Sequence, residues 1–296
     1  MKTLGHLLHD YLGEAYAMMR RSDSGVRRKT DAEAVHTMRV GARRMRSALR
    51  LFDNAYPSPA LRPLQSDLKW LAGGLGDVHD LALHLESLAE ESIHSPAPAE
   101  LGAFIAAVEQ AYQKRRGALR RMLSSKRYRR LMATARAAAS GGSTGLNPAL
   151  ALRSPRKEAP ALLKPWIKKC RRRARQLKAG SPDRTYHRFR LLGKRTRYAV
   201  QCLGEAAPRP LARLARRLEK MQTLLGRNQD EVTRLAALRA FLETPAGREA
   251  GPRRAASRLL ARRLKQHRKS RARIAKAVDH FARSRMLERA VKAVNE

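Results

Sequence analysis

The sequence predicts an all-α protein built as two similar helical halves. Three observations lead there. Apolar residues recur at three- and four-residue spacing almost throughout, Ala, Leu, Arg and Lys dominate, and no run is rich in β-branched residues. Clusters of Pro and Gly punctuate these periodic stretches. An ordered set of motifs also occurs twice, at a nearly constant offset.

The first stretch, MKTLGHLLHDYLGEAYAMM, carries His, Asp and Glu inside its apolar run and so does not read as a signal peptide. Thr30-Asp31-Ala32-Glu33 is a capping-box pattern that opens a helix containing His36, and Tyr56-Pro57-Ser58-Pro59 closes it. A further helical stretch with Leu75-Gly76 and Asp80 ends at Ser95-Pro96-Ala97-Pro98. Ser140 to Pro160 is the longest break, and residues 141–160 are expected to form a linker between a first half, 1–140, and a second, 161–296. After it, Ser181-Pro182 supplies an N-cap and first-turn Pro for the helix containing His187. Ala207-Pro208-Arg209-Pro210 and Pro245 to Pro252 mark later breaks.

The repeat is specific in order and spacing. His36-x-x-Arg39-x-x-x-Arg43-Arg44-x-Arg46 returns as His187-x-x-Arg190-x-x-x-Lys194-Arg195-x-Arg197, 151 residues later. Leu75-Gly76-x-x-x-Asp80 returns as Leu225-Gly226-x-x-x-Asp230. Two such copies imply halves related by a pseudo-twofold axis.

Charge indicates the kind of partner. Among 296 residues, 64 Lys and Arg face 25 Asp and Glu, a formal net charge of +39. With 43% hydrophobic residues the chain can still bury a core, so the charge does not mean disorder. The balance demands a dense anion: nucleic acid, an anionic membrane surface or another polyphosphate. Two cysteines, Cys170 and Cys202, are too few for a disulfide framework and suit a reducing compartment. No stretch approaches the ~18 uninterrupted apolar residues of a membrane span, so a cytoplasmic location is expected.

On a helical wheel with His36 at zero, Arg39, Arg43, Arg46 and Arg50 fall at roughly 300°, 340°, 280° and 320°. Met38, Met45, Leu49 and Phe52 lie across the cylinder, so one face packs while the other presents cations along ~21 Å of axis. The second copy repeats this with His187, Arg190, Lys194 and Arg197, although Gln201 replaces Arg50. A solvated helix face is the plain alternative. Solvated faces, however, usually mix signs at i,i+4, whereas here like charges stack, an arrangement that an external anion would neutralise.

In Ser257 to Phe281 the apolar face is set by Leu260, Leu264, Ile274, Val278 and Phe281, and Arg263, His267 and Arg271 lie on or beside it. Arg116 and Arg120 sit similarly beside Tyr112, Leu119 and Leu123. Two readings fit: a wet, anion-lined groove, or long stems reaching out to solvent. No acidic residue occurs between Gln110 and Lys157 or between Ala250 and Val278, so neither segment can neutralise itself. Asp80 and Asp230 fit either a carboxylate fixing a neighbouring Arg or a helix cap.

These motifs resemble the CHAD family, the conserved histidine α-helical domain. The carriers run from Val35-His36-Thr37-Met38-Arg39 to Arg46 with Leu49-Arg50-Leu51-Phe52, and from Tyr186-His187-Arg188-Phe189-Arg190 to Tyr198, together with the two Leu-Gly…Asp signatures. The resemblance spans nearly the whole chain. It implies two four-helix bundles related by a pseudo-twofold, with a basic central groove that binds inorganic polyphosphate, and association with polyphosphate granules. Carried onto this chain, the binding positions are His36, Arg39, Arg43, Arg46, His187, Arg190, Lys194 and Arg197. Arg44, Arg50, Arg195, Arg116, Arg120, Arg263, His267 and Arg271 are added from the charge pattern. A groove of this kind should also take up sulfate or phosphate.

Catalytic signals are missing. The sequence has no P-loop, H-E-x-x-H or zinc-spaced Cys pair. Nor does it contain the Glu-x-Glu-x-Lys motif of the triphosphate-hydrolysing domain that accompanies many relatives. Glu86, Glu90 and Glu91 form the densest carboxylate patch and read as a solvated face. No enzymatic activity, cofactor or metal is therefore expected, and a cation beside four Arg would be repelled. Nucleic acid is the rival ligand, disfavoured by an aromatic content of only 5% and by the absence of a recognised motif. A granule-coating scaffold is the other.

Overall fold

The computed structural model describes residues 2–28, 30–93, 98–141 and 147–295. Among these it is all helical, without strands. The first half contributes α1 (Leu4–Arg28), α2 (Ala32–Asp53), α3 (Arg62–Ile93), α4 (Pro98–Ser124) and α5 (Lys126–Ala139). The second contributes α6 (Pro155–Gln176), α7 (Asp183–Leu203), α8 (Arg209–Leu242), the one-turn α9 (Pro245–Arg248), α10 (Ala250–Ala282) and α11 (Arg285–Lys292).

Among the described residues each half has four long helices, α1–α4 and α6, α7, α8 and α10, and a shorter one near its end, α5 or α11. The fifth turns back to bury an apolar face: Tyr128, Leu131 and Ala135 of α5, Leu287 and Ala290 of α11. The repeat extends to the buried positions. Leu4, Leu8, Leu12 and Met19 of α1 correspond to Pro155, Ala159, Leu163 and Cys170 of α6, all buried, at the same offset of 151. In α3 and α8 the offset is 150, matching Leu64, Leu68, Leu71 and Leu75 with Leu214, Leu218, Met221 and Leu225.

One continuous core takes residues from both halves, including Met38, Met45 and Phe52 of α2 and Phe189, Val200 and Leu203 of α7. A satellite core ties the far ends of α3 and α4 to α8 and α10 through Leu88, Phe104, Phe241 and Leu259. The two halves are repeats in sequence but share one interior. Gly41 allows α1 and α2 to approach closely, since a β-carbon there would lie 2.7 Å from the Ala15 carbonyl oxygen.

The expected linker of 141–160 is shorter in the structure. A 3-10 turn at Pro148–Ala151 buries Leu150, and α6 starts at Pro155. Pro is compatible with a first helical turn, and the Leu4 amide donates to the Arg153 carbonyl at 3.0 Å, fastening this segment to α1. Pro245 to Pro252 is likewise a corner between helices, with Pro252 in the first turn of α10. Asp31 caps α2 by accepting from the Ala34 amide at 2.8 Å. Ser181 does not cap α7: its hydroxyl accepts from the Lys178 amide at 2.9 Å in the preceding turn. Residues 95–97 of the predicted break at Ser95 to Pro98 lie outside the described residues.

Candidate functional site

The α2 and α7 faces opposite the core converge on an open cleft of about 680 Å³. Its walls include His36, Arg39, Arg43, Arg44, Lys194 and Arg197, with Tyr198, Gln201, and Glu219, Gln222 and Thr223 of α8. Helix α2 therefore presents the predicted stripe, because burial of Met38, Met45, Leu49 and Phe52 leaves only the cationic face free.

At the centre are Arg43 and Lys194, mates in the repeat. Burial and then the cations of Arg43, Arg190, Arg39 and Arg197 lower the Lys194 pKa to about 6. Burial, with Arg43 the next cause, brings Arg39 to about 10 even though Asp80 is 3.6 Å away. Arg190 is lowered by burial, against the opposing pull of Asp230. Asp80 and Asp230 lie well inside α3 and α8, so they are not helix caps; each sets a negative charge beside one stripe Arg. His36 lies 5.6 Å from His79, ring centre to ring centre, and Nδ1 of His187 is 2.7 Å from Oε1 of Gln229, the repeat mate of His79. Burial lowers His36, and takes His79 to about 4, with Arg39 the next cause for both.

On one side of this centre, Arg46 is lowered to about 10 by burial, Arg50, Arg195 and Arg43, and Arg195 by burial and Arg50. No ion pair involves Arg43, Arg46, Arg50, Arg190, Lys194 or Arg195 among the described residues. The buried Nε atoms of Arg46 and Arg190 have no hydrogen-bond partner there either. On the other side Arg44 stacks 4.5 Å from the Tyr11 ring centre and pairs with Glu14 at 2.6 Å, while Arg197 is paired with Glu219.

The charged residues of α4 and α10 are placed elsewhere. Arg263, only 3% exposed, is held by Glu231 at 2.9 Å, Glu91 at 3.3 Å and the Ser87 hydroxyl at 3.0 Å. Arg271 donates to the carbonyls of Ala179 and Ser181 and lies 3.5 Å from Asp183; His267 is 3.7 Å from the same carboxylate. Arg120 donates to the Arg28 carbonyl at 3.0 Å, and Arg116 to the Thr30 hydroxyl at 3.1 Å. Arg28 and Ala179 are repeat mates, as are Arg120 and Arg271, so both latch the turn before a stripe helix. These five residues are engaged away from the cleft and do not line it; nor do Arg46, Arg50, His187, Arg190 and Arg195, which extend the stripes beyond it. The acidic partners of Arg263, His267 and Arg271 come from other helices, which a reading confined to local segments could not see. Glu91, read as part of a solvated face, is one of them.

Sequence reasoning also missed Glu14, Tyr11, His79, Tyr198, Glu219 and Gln222. His79 and Gln229 carried a signal, since each precedes the Asp of its Leu-Gly motif. Among the described residues no group of His, Cys, Asp and Glu could hold a metal, and no helix is long and apolar enough to cross a membrane.

Fold and site define a class: an internally duplicated, all-helical protein with a cationic cleft where its two repeated helices meet. The CHAD domain family model matches residues 10–239, and the chain belongs to that family. The crystal structure of the CHAD domain from the plant Ricinus communis is similar, with 25% identity and a TM-score of 0.71, covering 99% of this chain and 92% of that one. PptA from Streptomyces chartreusis shares the fold at 20% identity and a TM-score of 0.69, covering 99% of each chain. Comparison with curated proteins finds no match.

Proposed function

We propose that this protein binds inorganic polyphosphate along the α2 and α7 stripes, at the cleft and on the cations that flank it, without chemical turnover, and through it associates with polyphosphate granules. The observation that carries this reading is the convergence of Arg43, Arg46, Arg50, Lys194 and Arg195 with no carboxylate in ion-pair contact with any of them among the described residues. Half-buried like charges repel strongly, and a ligand supplying many phosphate oxygens would relieve that repulsion. Guanidinium forks suit such oxygens, and two copies of one stripe suit a ligand that repeats along its length. Turnover would require carboxylates to hold Mg²⁺, whereas Glu14 and Glu219 are already engaged by Arg44 and Arg197.

The test compares Arg43→Glu/Arg190→Glu with Arg153→Glu/Arg156→Glu at the exposed start of α6. Each pair changes the formal charge equally, so long-range attraction is matched. The stripe pair is expected to weaken polyphosphate binding ~100-fold or more, because each substitution removes one charge-assisted hydrogen bond to phosphate. The exposed pair should weaken it far less. Equal losses would leave only diffuse attraction. Competition at equal phosphate concentration and fixed salt separates the ligands, and preference for duplex DNA or RNA would overturn the polyphosphate reading.

A further inference from the structure

The two stripes are equivalent in sequence, but their surroundings differ in charge. At the repeat offsets, Glu14 of α1 corresponds to Pro165, Glu219 of α8 to Lys69, and Gln201 of α7 to Arg50. On one side of the Arg43–Lys194 centre, Arg44 and Arg197 are each paired with a carboxylate, and Gln201 is neutral. On the opposite side their mates, Arg195 and Arg46, stand beside Arg50 with neither acid present. The position of Glu219 is there an exposed lysine, Lys69.

The surroundings register on the side chains. The Arg44 pKa is raised, with Tyr11 and Glu14 outweighing its burial. Arg46 is lowered to about 10, with Arg50, Arg195 and Arg43 as the neighbouring causes and no acid among them. A symmetric fold therefore carries a site that is neutralised on one side and bare on the other.

Resting on the polyphosphate reading, we infer that the chain of phosphates is held one-sidedly, from the Arg43–Lys194 centre onto Arg46, Arg50 and Arg195. The Arg44–Arg197 side closes on itself through Glu14 and Glu219 and adds little binding. The cleft itself is walled by the Arg44–Arg197 side, while Arg46, Arg50 and Arg195 lie beyond the Arg43–Lys194 centre and outside its lining. A polyanion running from that centre onto them meets guanidinium groups without an ion pair among the described residues, whereas one filling the cleft would have to displace two carboxylates already bound to arginine.

Titration calorimetry with polyphosphate of defined length tests this in the full chain. Arg46→Gln should weaken affinity about tenfold, the scale of one charge-assisted hydrogen bond. Arg197→Gln/Glu219→Gln, which removes an ion pair at the mate position without changing net charge, should weaken it clearly less than Arg46→Gln does. Glu14→Gln/Glu219→Gln should tighten binding by freeing both arginines. Arg46→Lys should restore part of the affinity, and Arg50→Gln repeats the test if thermal unfolding shows that Arg46→Gln disturbs the fold. Equal weakening in Arg46→Gln and Arg197→Gln/Glu219→Gln, with wild-type binding intact, overturns the one-sided site alone. Wild-type protein that fails to bind polyphosphate overturns the functional reading and this inference together.

Discussion

Lys194 should take up a proton when an anion enters the cleft. Its ammonium faces Arg39 and Arg43 from α2 and Arg190 and Arg197 from α7, and His36 and His79 lie in the same field. Burial and those cations bring it from an ordinary 10.5 to about 6. At pH 7 the free site is then only about one-tenth protonated, and a phosphate that restores the ordinary value draws in about 0.9 proton. Affinity should fall with rising pH, by roughly 75-fold between pH 6.5 and 8.5 at full restoration. Arg39 and Arg46, at about 10, titrate above this window, and His79, at about 4, below it. Stability without ligand moves oppositely. The unfolded chain keeps the Lys194 proton up to about 10.5 and the folded one releases it near 6, so between these values stability contributed by this group rises with pH. Calorimetry in two buffers of different ionisation enthalpy measures the uptake, and Lys194→Gln should remove most of it. Uptake below about 0.2 proton at pH 7 in the wild type, or an undiminished uptake in Lys194→Gln, would refute the reasoning.

Two further outcomes follow from placement. Arg263→Ala takes from Glu231 and Glu91 their buried partner, leaving them Arg234 and Arg262, and should destabilise the fold by about 1.5–3 kcal/mol, read by chemical denaturation; Arg263 does not line the cleft, so polyphosphate affinity at a temperature where the variant is folded should change less than about twofold. Purified protein should release no phosphate from polyphosphate with Mg²⁺ or Mn²⁺, and turnover abolished by substituting Glu219 or Glu14 would contradict the non-enzymatic reading.

The sequence by itself determined the helical class, the duplication and the stripe on α2 and α7. All three rest on local periodicity and on a repeat, and neither needs knowledge of distant neighbours. Met38, Met45 and Phe52 had to face inward, so Arg39, Arg43 and Arg46 had to face out. What partners each cation was beyond its reach. Arg263 and Arg271 share the apolar side of α10 and carry no acidic neighbour in their own segment, yet Glu231, Glu91 and Asp183 arrive from α8, α3 and α7. Arg44 and Arg197 repeat Arg195 and Arg46 in sequence, and only packing brings Glu14 and Glu219 against the first pair. Electrostatic pairing depends on distance in space, which the tertiary fold alone assigns.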